Sequence, residues 1–180
     1  MQLFTGKGDD GTTGLLYGGR VRKDSPTIEA NGAVDEAQAA IGAARAWVVR
    51  GSELDSLLIS VERDLYVLMA ELATLPENRG KLIEDKTLVT ASMVSALEGL
   101  LASIGERFEM PTQFVLPGQS VVSAQLEVAR TVVRRAERLV VAVAADDSHV
   151  VPYLNRLSSF LWAAARWQEH GDALASRSEK

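Results

Sequence analysis

The chain contains no cysteine, which excludes disulfides, thiolate metal sites and a cysteine nucleophile. Its two histidines, His149 and His170, do not follow a glutamate by three residues. A carboxylate-bridged metal pair needs Glu-x-x-His on two helices, so that reading has no ligands here. Positive charge is not in excess: the formal net charge is -5, with a pI near 5.1. A general nucleic-acid binder is therefore not expected. No apolar run approaches the ~20 residues of a membrane span, and the greasiest, Leu139 to Ala145, is far too short. The segment from Met1 to Gly6 shows neither a basic nor an apolar signal region, so the expected location is the cytoplasm. Period-two alternation and internal repeats are also missing.

What remains is a soluble-protein composition, 47% hydrophobic and 24% charged over 180 residues, sufficient for one domain (1–180) with a sizeable core. Residues 1–24 are glycine-rich and irregular. Ser25-Pro26 reads as a helix start with proline at the first helical position, continuing over 26–47. Ser52 is a cap for a second helix, whose Leu54, Leu57, Val61, Leu65, Leu68, Leu72 and Leu75 form a bundle seam at alternating three- and four-residue spacing. Pro76 to Lys81 reads as a loop, and a third helix covers roughly 86–105. Ser120 caps a fourth, with Leu126, Ala129, Val133, Ala136, Val140 and Val143 as its apolar stripe. A turn at 146–149 leads to a fifth helix over 153–170, ended by Gly171, with a frayed tail at 172–180. The expected architecture is an all-α, five-helix up-and-down bundle.

Four constellations carry chemistry. Thr5 to Gly14 holds four glycines, Lys7, and the hydroxyls of Thr5, Thr12 and Thr13. Such a loop brings backbone N–H groups close to phosphates. It is not a Walker A loop, and a flexible arm is the plainer alternative. Lys23 is a second phosphate cation, or a solvated lysine. Gly32, inside the first helix, costs about 1 kcal/mol relative to alanine and so suggests close approach of another helix or a ligand. Asp35 nearby is a surface charge or, if buried, needs a cation.

The third constellation is Arg130, Arg134 and Arg138. Their four-residue spacing stacks three cations along ~12 Å of one helical face. Local pairing with Glu127 and Glu137 is one explanation, and an anionic ligand is another. The apolar flanks Val132, Val133, Ala136, Leu139 and Val140 suggest a largely buried helix with few faces left for solvent. The fourth is Asn155, an amide able to read a base or ribose edge or simply to face water.

In order, Thr5–Thr13, Lys23-Asp24, Glu29–Glu36, Phe114–Gln119, Arg130–Arg138 and Tyr153–Ser159 match the motifs of one family. The chain resembles the PduO-type ATP:corrinoid adenosyltransferases from residue 5 to about 165. The resemblance implies a helical-bundle homotrimer with active sites between subunits. It implies ATP on Thr5, Gly6, Lys7, Gly8, Thr13, Gly14 and Lys23, with Arg134, Arg135, Ala136, Glu137, Arg138 and Asn155 from the partner surface. It implies an Asp35–Arg130 ion pair across the interface beside the corrin. Phe114 would press on the lower face, where dimethylbenzimidazole otherwise coordinates cobalt. Magnesium with ATP, a cobalamin or other corrinoid substrate, an electron-donating reductase and an adenosylcobalamin-dependent mutase complete the implied set. Lys7, Gln119, Glu127 and Ser159 depart from the family pattern. A non-catalytic corrinoid carrier or a nucleotide-sensing bundle is the rival expectation, disfavoured by the intact loop and arginine row.

Overall fold

The computed structural model describes residues 4–177. Its helices are α1 (Pro26–Arg45), α2 (Glu53–Leu72), α3 (Ala91–Gly105), α4 (Val121–Val140) and α5 (Val150–Trp167). The expected bundle is present, but neighbours in space do not follow chain order. α1 packs against α2 and α4, α4 against α5, and α5 against α3. The short α1–α2 and α4–α5 connections join packed neighbours. The longer connections that flank α3 carry it past them onto α5. The seams meet in one core, where Ile41, Leu58, Leu65, Leu68, Leu126, Tyr153, Leu154, Leu157 and Phe160 are fully buried.

The Ser52 and Ser120 N-caps act as the sequence predicts. Ser52 Oγ accepts from Asp55 N (3.2 Å), and Ser120 exchanges reciprocal bonds with Ser123. Several boundaries differ for identifiable reasons. α3 begins at Ala91 rather than near 86, because Thr90 Oγ1 caps Met93 N and Asp85, at φ 58°, belongs to the preceding turn. α5 begins at Val150, ahead of Pro152, rather than at 153. Proline in a first turn removes an N–H that has no helical acceptor anyway. The helix ends at Trp167, and His170 and Gly171 both adopt positive φ (51° and 95°). α2 stops at Leu72 and α4 at Val140, each about one turn short of its apolar pattern. Pro76–Lys81, expected as loop, is a short 3₁₀ helix.

Two small ladders correct the two segments expected to be irregular. β1 (Thr12–Gly14) pairs antiparallel with β2 (Arg20–Arg22), turning the N-terminal segment into a hairpin. β3 (Val115–Leu116) pairs antiparallel with β4 (Leu174–Ala175), and Ser176 N donates to Phe114 O at 2.7 Å. The tail up to 176 is thus tied to the α3–α4 connection rather than frayed. Strands of two or three residues are too short for a visible alternation. Among the described residues, no helix is long and apolar enough to cross a membrane.

Candidate functional site

The loop before β1 is built from two successive turns, Asp9 N to Gly6 O and Gly11 N to Gly8 O, both 3.2 Å. Gly6 and Gly11 take positive φ (67° and 78°), a conformation glycine adopts without steric cost. Asp10 accepts from Thr12 N (2.9 Å) and Thr12 Oγ1 (2.7 Å), and these bonds hold its carboxyl below the usual range. Arg20, which drew no attention in the sequence, fastens the loop: its Nη2 donates to Lys7 O (2.7 Å) and Thr12 Oγ1 (2.6 Å). Only the hairpin register brings Arg20 there, so no sequence pattern announced it. Lys23 lies across Gly8; a Cβ on Gly8 would sit 3.0 Å from Lys23 Nζ. Thus Lys23 and the glycine loop, grouped by chemistry in the sequence, are one unit in space. Thr5 and Lys7 are exposed, and Thr13 and Gly14 lie in β1.

On α4, Arg134, Arg135 and Arg138 are exposed, contrary to the expectation of a largely buried helix. α1 and α5 cover one side of α4, and the arginine side is left open in the protomer. Ala136, by contrast, is fully buried, so its side chain belongs to the core. Arg135 pairs with Glu36 on α1, whose carboxylate raises the arginine pKa further. Glu137 does not bridge to Arg134. It accepts from Asn155 Nδ2 at 2.9 Å, joining two of the expected site residues across α4 and α5. Arg156 fixes the amide from its other side, through Nη1 to Asn155 Oδ1 at 2.8 Å. No hydrogen bond or ion pair among the described residues joins this face to the glycine loop.

Asp35 is exposed in a groove between α1 and α2 with Gln38, Arg63 and Tyr66. Within the protomer it does not meet Arg130, so burial does not force a cation on it. Arg130 instead pairs with Glu127, Nε to Oε2 at 2.6 Å. Gly32 has nothing within 4 Å of a built Cβ, so no helix of the same protomer explains it. Arg130, Glu127, Trp162 and Phe114 line one open cleft of about 600 Å³ under the α3–α4 connection. Phe114 is 88% exposed there, an aromatic ring with no stacking partner among the described residues.

The fold is therefore a helical bundle that presents a glycine-rich loop crossed by Lys23 and an arginine-edged, aromatic-faced cleft. The family model described as Cobalamin adenosyltransferase matches residues 3–168. A corrinoid adenosyltransferase of Mycobacterium bovis (strain ATCC BAA-935 / AF2122/97) is 39% identical over 191 aligned positions, covering 97% of each chain. That of Citrobacter freundii is 37% identical, covering 93% of this chain and 95% of the relative. A solved variant of the PduO-type ATP:corrinoid adenosyltransferase from Lactobacillus reuteri, complexed with cobalamin and ATP, superposes with a TM-score of 0.86 at 25% identity, covering 99% of this chain and 98% of that one. The chain belongs to the cobalamin adenosyltransferase family.

Proposed function

We propose that the protein transfers the 5′-deoxyadenosyl group of ATP to the cobalt(I) of a reduced corrinoid, giving adenosylcobalamin and triphosphate. The cobalt(I) electron pair forms the Co–C bond to the 5′-carbon. The C–O bond breaks, and its electrons leave on the triphosphate oxygen. Charge grows on that oxygen, so cations and N–H groups aimed at it lower the barrier. Thr5, Gly6, Lys7, Gly8, Thr13, Gly14 and Lys23 take the triphosphate side. Arg134, Arg135, Glu137, Arg138 and Asn155 take the nucleotide from another subunit. That no hydrogen bond or ion pair among the described residues joins the glycine loop to the arginine face of α4 supports sites shared between subunits of a homotrimer. The same reading pairs Asp35 with Arg130 across that interface.

Phe114 and Arg130 in one cleft are the observation that carries this reading. An exposed phenylalanine against the lower face of the corrin excludes both water and the lower base. Four-coordinate cobalt(II) is easier to reduce, and the cobalt supplies the reactive electrons. Among the described residues no group of three or more histidine, aspartate or glutamate side chains converges. Magnesium would arrive on the ATP phosphates, and such ions keep few protein ligands. We place the reaction in the cytoplasm, fed by an electron-donating reductase and serving an adenosylcobalamin-dependent mutase.

The test is an anaerobic incubation with MgATP and chemically reduced cobalamin. Adenosylcobalamin and triphosphate should form in equal amounts. Tight binding of both substrates without a new Co–C bond would instead identify a corrinoid carrier.

A further inference from the structure

We propose that Glu127 is a positioning residue for Arg130, held in place from α5 by Arg166; the proposal rests on the adenosyltransferase reading above. Glu127 is only 9% exposed, and each of its oxygens is occupied by a different arginine. Oε2 accepts from Arg130 Nε (2.6 Å), while Oε1 lies 3.2 Å from Arg166 Nη2. Arg166 is 3% exposed, so it is not a mobile surface cation. Its Nη2 also donates to Glu169 Oε1 at 2.7 Å, and its guanidinium stacks 5.5 Å over the Trp162 ring. The chain of contacts thus runs from Glu169 through Arg166 and Glu127 to Arg130.

The consequence is directional. Arginine has five N–H donors in a rigid fork. Glu127 takes the Nε edge of Arg130, and among the described residues neither Nη group has a hydrogen-bond partner. A half-buried arginine tethered along one edge presents the rest of its fork in a single orientation. Arg130 lines the cleft that Phe114 and Trp162 also line. Movement of Glu127 is disfavoured, because it would cost the buried carboxylate its contact with the buried Arg166 guanidinium. A purely structural alternative is an ion-pair network that only stitches α4 to α5. It predicts lost stability with both substrates affected alike.

The deciding experiment compares wild type, Glu127→Gln, Glu127→Asp, Arg130→Gln and the Glu127→Gln/Arg130→Gln double variant. KM and kcat are measured for ATP and for cob(I)alamin, together with the electron paramagnetic resonance signal of cobalt(II) bound with ATP. Glu127→Gln should raise the corrinoid KM roughly tenfold and shrink the four-coordinate cobalt(II) signal, with the ATP KM within about twofold of wild type. Glu127→Asp keeps the charge and should recover most of the loss. Adding Glu127→Gln to Arg130→Gln should cost less than about twofold more, because the residue acts through Arg130. If Glu127→Gln does not fold, Arg166→Lys probes the same tether and should give the same split. Equal rises in both KM values, full additivity, or wild-type behaviour would overturn the role. An active wild type with an unperturbed Glu127→Gln variant overturns the positioning role alone. A wild type that makes no adenosylcobalamin overturns the transferase reading itself and the role with it.

Discussion

Lys23 Nζ rests across the backbone of Gly8, where a Cβ would stand 3.0 Å away, with the Thr12 carbonyl oxygen only 3.3 Å off on another side. The glycine is there for space, and the lysine uses it. A long flexible side chain can yield by a few tenths of an ångström, but a hairpin carbonyl cannot. Gly8→Ala should therefore push the ammonium aside and strain the loop locally at the Thr12 carbonyl, away from the helical core. We expect a rise in the ATP KM of roughly five- to tenfold, or about 1–1.4 kcal/mol, with little change in the corrinoid KM. Steady-state kinetics against both substrates checks this. An unchanged ATP KM would mean that Lys23 does not serve the triphosphate.

Phe114 makes no demand on the core, so its removal separates catalysis from folding. Phe114→Ala should keep stability within about 0.5 kcal/mol of wild type in urea unfolding, as exposed positions do. Turnover starting from cobalt(II) should fall far more than ATP binding weakens. Parallel losses in both would contradict the lower-face role.

The β3–β4 ladder ties the loop that carries Phe114 to the end of the described chain. Ending the chain after Gly171 removes that ladder and the Ser176-to-Phe114 bond. The strands lie outside the main core, so the melting temperature should shift by less than about 3 °C. Limited proteolysis within 110–118 should accelerate, and turnover from cobalt(II) should drop several-fold. Unchanged proteolysis would show that the loop holds its shape unaided.

Asp64 gives a stability prediction with a definite sign. Tyr153 OH donates to Asp64 Oδ2 at 2.7 Å, and burial of the phenol raises the tyrosine pKa, so it stays the donor. Burial also raises the Asp64 pKa above 3.8, more than that hydrogen bond lowers it. The folded state then holds the proton more tightly than the unfolded one. Its contribution is complete below 3.8 and is lost as pH rises through the folded value. Asp64→Asn keeps an acceptor for the tyrosine and cannot ionise. Urea unfolding between about pH 3.5 and 7 should show the variant gaining on wild type as pH rises, then levelling off. A constant gap would mean that Asp64 titrates normally.

Helices and caps were legible because they rest on local rules. Ser52 and Ser120 each satisfy an N–H group three residues away, and the heptad leucines of α2 declare their own buried side. The candidate site residues also stood out as types, since glycine-rich loops and stacked arginines carry their chemistry wherever they fall. Their partners were less so. Arg130–Glu127 could be read from i, i+3 spacing, but Glu127–Arg166 and Glu137–Asn155 join α4 to α5. The arginine row also misled: its apolar flanks suggested burial, whereas bundle packing covers only one side of α4.

By itself, then, the sequence determined which segments are helical, which residues are chemically capable, and, through ordered motifs, the family. Those properties follow from backbone propensity, side-chain periodicity and functional-group identity, all encoded within a few residues. Tertiary structure alone decided that α3 packs on α5, that Arg20 locks the loop, and that residues 174–176 grip the loop bearing Phe114. It also placed Asp35 and Arg130 in separate clefts of one protomer. Each of these depends on contacts between residues far apart in the chain, and no local pattern specifies which distant partner wins.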